Sequence, residues 1–101
     1  MSRPKVAPQA QVDLLEIWHR IAKDSLQNAE KVWDELKDAI RLLSAWLGLG
    51  HSRKDIKDPS LKCWAVHAFV VVYRVRGNRI EVVRVVDGRR DFRRIFRRRS
   101  P

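Results

Sequence analysis

The string FVVVYRVRGNRIEVVRVV, residues 69–86, constrains this chain more than any other. β-Branched and aromatic residues fill Phe69–Arg76 and again Arg79–Val86, and the Gly77-Asn78 pair between them is a tight-hairpin signal. In the second run Ile80, Val82, Val83, Val85 and Val86 leave only Glu81 and Arg84 as polar interruptions. Such a strand has one well-buried face and a second that is partly covered. Leu61–Val66 is a further strand candidate, turning into the hairpin at His67-Ala68, so a three-stranded antiparallel meander is expected. The short Lys5–Ala7 stretch before Pro8 suits an edge strand, where a neighbouring proline is tolerated.

A sheet with a buried face needs a cover, and the first half of the chain supplies one. After Pro8, a favourable first-turn residue, apolar residues recur at Leu14, Ile17, Trp18, Ile21 and Ala22. They recur again at Ala29, Val32, Trp33, Leu36, Ala39, Ile40, Leu43 and Trp46, the spacing of one helix face. Asp24 and Ser25 offer caps in the short connection, which makes the two helices antiparallel neighbours. Trp18, Trp33 and Trp46 are expected in the core, Trp64 at its rim, and Gly48 and Gly50 as left-handed terminators of the second helix. Beyond the last strand, Phe92, Ile95 and Phe96 stand at i, i+3, i+4, a docking stripe for a short helix that Asp87 is placed to cap. The fold class is therefore α+β: an N-terminal helical hairpin packed on a small antiparallel β-sheet, with a short C-terminal helix. At 101 residues the chain suits a single domain spanning 1–101, with 97–101 as a loose basic tail.

Charge is distributed unevenly. Residues 1–50 carry seven Lys/Arg and seven Asp/Glu, whereas residues 51–101 carry fifteen and five, so the whole +10 excess lies in the second half. One basic face implies an acidic protein or a polyanion as partner. Cys63 to Tyr73, unexceeded in length by any other uncharged run, is far shorter than the roughly 20 apolar residues of a membrane span. MSRPKVAPQAQ lacks the apolar core of a secretory signal, and the single cysteine suits a reducing compartment, so a cytoplasmic location is expected. Cys63 and His67 fall on one side of a strand at this spacing, but no second Cys/His pair accompanies them, so neither a metal nor another cofactor is expected. His19 and His51 read as solvated, and Asp13 and Glu16 as charges that complement the start of the first helix. No Ser-His-Asp, Cys-His, phosphate-loop or dinucleotide pattern occurs.

Several strings in this order resemble a known group of proteins. They are Ala10-x-x-Asp13-Leu14-x-x-Ile17-Trp18, Gly48-Leu49-Gly50, Arg53-Lys54-Asp55-Ile56, Trp64…Phe69-Val70-Val71-Val72-Tyr73-Arg74, Arg84-Val85-Val86 and Gly88-Arg89-Arg90-Asp91. The chain from Val6 to Phe96 is similar to the RelE/ParE superfamily of type II toxin–antitoxin toxins, and the long helical hairpin resembles its ParE branch. ParE-like chains often carry His-Gly where Asp87-Gly88 stands here.

The resemblance implies a toxin that inhibits DNA gyrase, trapping it with cleaved DNA, and that is neutralised by an acidic antitoxin. The alternative within the superfamily is a RelE-like, ribosome-dependent mRNA endonuclease. Of the groups such a nuclease uses, the arginine after the last strand aligns with Arg90, whereas Val70 and Phe96 stand where an arginine and a tyrosine would be. Valine binds no phosphate and phenylalanine shares no proton, so the substitutions weigh against catalysis. A nuclease would rest on Arg90 with help from Arg53 or Lys54. A third class, a non-toxic basic nucleic-acid-binding module, needs only the charge. The residues expected to contact target or antitoxin are Arg74, Arg84, Arg89, Arg90, Arg93 and Arg94, with Phe92 and Phe96. DNA gyrase, alone or with its DNA, and the antitoxin are the expected partners, and the ribosome replaces gyrase in the nuclease reading.

Overall fold

The computed structural model describes residues 3–97. Its elements are β1 (Lys5–Val6), α1 (Pro8–Ala22), α2 (Leu26–Ala45), β2 (Lys62–Val66), β3 (Phe69–Arg76), β4 (Arg79–Asp87) and α3 (Phe92–Ile95). Pro8 opens α1 where its missing N–H costs nothing, and the Ser25 hydroxyl caps α2 by accepting from Asn28 N at 3.1 Å.

The strands form one sheet in the order β1-β4-β3-β2. β2, β3 and β4 make the expected antiparallel meander, closed at Gly77, whose φ of +63° supplies the left-handed first turn residue that a tight hairpin needs. The edge strand β1 runs parallel to β4, with Lys5 opposite Glu81 and Val6 opposite Val82, so the complete sheet is mixed.

Both faces of the sheet are covered. On one, Val71, Tyr73, Ile80, Val82 and Val85 pack against Ala10, Ile17, Leu36, Ile40 and Leu43 of the helical hairpin. On the other, Val70, Val72 and Val86 pack against Ile56 and Leu61 of the 51–61 connection and against Phe92 of α3, with Ile95 and Phe96 alongside. A β-bulge opposite Val72 and Tyr73 makes this possible. It inserts Val83, so that Val82 and Val85 both face the helices while Val83 and Val86 join the other core. The apolar run at 82–86 is thus shared between two cores.

The fold corrects several local expectations. α2 ends at Ala45 with Trp46 as its cap at φ −126°, so Trp46 turns outward and is 66% exposed instead of packing in the core. Gly48 and Gly50 do not have positive φ. Gly50 is required for another reason: a Cβ there would stand 2.8 Å from the ring carbons of buried Tyr73, whose hydroxyl accepts from Gly50 N at 2.8 Å. Asp91, not Asp87, caps α3, accepting from the backbone of Arg93 and Arg94. His67 lies in the β2–β3 turn at φ +54° and pairs with Glu35, away from buried Cys63. His51 is exposed but stacks on Trp64.

Asp13 is the largest departure. It does not complement the start of α1 but is buried, and no acid occupies the first turn of that helix. Its Oδ2 accepts from Arg84 Nε at 2.7 Å and from Val85 N at 3.0 Å, while Oδ1 accepts from Arg84 Nη2 at 3.0 Å. β1 pairs only with the first part of β4, and Asp13 satisfies the strand amide beyond it. No helix is long and apolar enough to cross a membrane among the described residues.

Candidate basic surface around the C-terminal helix

α3 is only four residues long, too short to persist alone, and is held by its side chains. Phe92 is 1% exposed, beneath the Arg53 guanidinium at 3.9 Å from the ring centroid and stacked on Phe96 at 5.9 Å. Arg53 is itself fixed by two hydrogen bonds to Asp55, of 2.8 and 2.7 Å. These bonds raise the Arg53 pKa and hold the Asp55 carboxyl below its ordinary range. Arg53, Phe92 and Phe96 therefore form one stack tying α3 to the 51–61 connection.

The arginines expected to make contacts fall into two groups. Arg84 is committed to Asp13, a hydrogen-bonded pair that raises its pKa. Arg74 lies by Glu81 at 3.6 Å, with its Nε buried and without a hydrogen bond. Arg89 chelates Asp87, and these hydrogen bonds pull the Asp87 pKa to about 2. Phe92, expected as a contact residue, is 1% exposed and packs in the second core. Arg90, Arg93 and Arg94, by contrast, are exposed, and no ion pair joins them to an acid among the described residues.

Two grooves flank α3. The first, about 460 Å³, is lined by Lys54, Asp55, Lys57, Asp91, Arg93, Arg94, Phe96 and Arg97. The second, about 480 Å³, is lined by Arg84, Arg90, Asp91, Arg94 and Ile95. Phe96 is half-buried and reaches the first groove as its aromatic wall. Lys57 and Arg97 were not singled out from sequence: one lies in a connection without periodicity, the other at the start of the expected tail. Arg97 lines the groove, and residues 98–101 lie outside the described residues.

As nuclease machinery the arrangement is incomplete. Val70 is buried in the second core, Arg53 is engaged by Asp55 and Phe92, and Arg90 and Lys54 line different grooves. Among the described residues no group of three or more His, Cys, Asp or Glu side chains is placed to hold a metal ion.

The chain is similar to known proteins over most of its length. The family model described as the ParE toxin of type II toxin–antitoxin system, parDE, matches residues 5–92. Toxin ParE3 of Caulobacter vibrioides is 29% identical over 75 residues, covering 69% of this chain and 74% of that protein. A solved structure of the chromosomal ParDE toxin–antitoxin system from P. aeruginosa superposes with a TM-score of 0.70 at 21% identity, covering 86% of this chain and 96% of that one, a likeness of fold. The family match runs from the edge strand through the first residue of α3, and on it the chain belongs to the ParE toxin family of type II toxin–antitoxin systems.

Proposed function

We propose that this ParE-family toxin acts by binding DNA gyrase and trapping it with cleaved DNA, and that an acidic antitoxin holds it inactive. The observation that carries this reading is the division of the arginines. Arg74 and Arg84 of the sheet are engaged by internal acids, whereas Arg93 and Arg94 are displayed on α3, braced from beneath, with Arg90 just before it. A braced, exposed cationic surface suits action by binding. The loss of an arginine at Val70 and of a hydroxyl at Phe96 weighs against catalysis on RNA.

The antitoxin reading draws on two further features. The net charge of +10 favours an acidic partner. Val12, Leu15, Leu42 and Trp46 leave apolar area exposed on the helical hairpin, where a disordered segment gains anchors on folding.

The test uses the purified toxin in three assays: gyrase supercoiling, accumulation of cleaved gyrase–DNA complex, and mRNA cleavage in a translation extract. Gyrase inhibition without mRNA cleavage is expected. The opposite result overturns the reading in favour of the nuclease. No effect in any assay, with normal growth on expression, leaves the non-toxic binding module. Co-expression with the small acidic protein encoded beside it is expected to restore growth and yield a stable complex.

A further inference from the structure

We infer that the groove between α3 and the 51–61 connection binds a single phosphodiester strand of DNA, with Phe96 as its stacking wall. The inference deepens the gyrase reading and rests on it for the biological context, but its chemistry stands on the groove alone. Five cations line this groove: Lys54, Lys57, Arg93, Arg94 and Arg97. None of the five is within ion-pair distance of an acid among the described residues, unlike Arg53, Arg74, Arg76, Arg84 and Arg89. The two acids present are already occupied, Asp55 by Arg53 and Asp91 by the amides of α3. The groove therefore carries a surplus of positive charge.

Such crowding is unfavourable unless a ligand neutralises it. An acidic peptide can match that charge density, but its carboxylates give Phe96 no planar base to stack on. A nucleic-acid strand presents one phosphate per nucleotide, and guanidinium groups grip phosphate oxygens bidentately. An aromatic side chain beside a cationic track is what a protein needs to hold a strand without reading its sequence. Phe96 meets that requirement because Phe92, itself held under Arg53, stacks behind it. A DNA strand released at a cleaved gyrase complex is a ligand of this chemistry.

The test measures binding of a fluorescently labelled short single-stranded DNA of mixed sequence to the full chain, across a salt series. With five phosphate contacts the slope of log K against log salt approaches about −3.5, from roughly −0.7 per contact. Replacing two groove cations, Lys57→Glu with Arg97→Glu, is expected to weaken binding by at least about 20-fold at about 0.1 M salt and to flatten the slope by about 1.4. Lys31→Glu with Lys37→Glu, an equal charge change on exposed positions of α2, is the control, and circular dichroism of each variant reports folding. Phe96→Leu keeps the apolar packing and removes the stacking face, and a several-fold loss is expected. Equal weakening by both charge pairs overturns the proposal, since net charge alone then explains binding. So does loss of antitoxin capture by the groove variants with DNA binding unchanged, which assigns the groove to an acidic peptide. Gyrase inhibition by a wild-type chain that binds no oligonucleotide also overturns it, leaving the gyrase reading intact. Strand binding with no effect on gyrase supports the groove and fails the gyrase reading instead.

Discussion

Replacing Asp13 tests the account of how α1 is locked to the sheet. Its side chain is 6% exposed and that of Arg84 is 23% exposed, so both lose most of their hydration on folding. Asp13→Ala removes three hydrogen bonds to β4 and leaves the Val85 N–H without its partner. An orphaned buried amide costs about 1–3 kcal/mol. Breaking a buried ion pair from one side costs about 3–5 kcal/mol. The two overlap, and Arg84 recovers some hydration through its exposed fraction, so the expected loss is about 3–4 kcal/mol. Against a total stability of about 5–15 kcal/mol this is a large fraction. In urea, with a slope near about 1.5 kcal/mol per molar, the midpoint falls by roughly 2 M. Asp13→Asn keeps an acceptor for Val85 N and is expected to lose about half as much. Pairing Asp13→Leu with Arg84→Met removes both charges at once and is expected to cost less than the sum of the singles by about 2 kcal/mol. An Asp13→Ala chain within about 1 kcal/mol of wild type, or strictly additive costs, refutes the reasoning.

Three further outcomes follow from local chemistry. Gly50→Ala forces a methyl against the Tyr73 ring and is expected to destabilise by about 2–4 kcal/mol; Tyr73→Phe in the same chain leaves most of that loss in place, because the ring carbons remain, as thermal unfolding will show. The Asp87 carboxyl is held at about 2 by hydrogen bonds from Arg89, so its contribution to folding is present above the ordinary carboxylate range and is lost as pH falls toward about 2. NMR titration is expected to place its midpoint there and to find it raised in Arg89→Ala. Burial pushes the Cys63 thiol up to about 11, so alkylation at neutral pH is expected to proceed only with unfolding, at the rate the native chain opens.

Most of the architecture was legible because its signals are local. Gly77-Asn78 between two β-branched runs placed the hairpin, and Pro8 and Ser25 marked the helix starts. What escaped depended on distant partners. Asp13 looks like any helical acid until β4, 71 residues away, is beside it. The bulge is hidden because Val82-Val83 reads the same whichever face each valine serves. Periodicity assigned Trp46 to the apolar stripe but does not report that α2 runs out one residue earlier. A two-residue strand gives no hint of its direction, so the parallel pairing of β1 was not readable. At the basic surface, charge alone named the arginines without distinguishing those that acids within the fold would claim. Arg74, Arg84 and Arg89 are claimed; Arg90, Arg93 and Arg94 are not. Lys57 joined them only when the 51–61 connection folded against α3.

The pairing of β1 with β4 also imposes an order of events during synthesis. Lys5 and Glu81 are 76 residues apart, so at about 5–20 residues per second the edge strand waits roughly 4–15 s for its neighbour to be made. Throughout that interval the helical hairpin has no sheet to cover, and the groove beside α3 does not exist. Translation that stops before β4 is complete releases a fragment lacking both the closing strand and the cationic helix. Assembly of this toxin is thus deferred until β4 has been made, and an antitoxin already waiting meets the folded sheet only after that point.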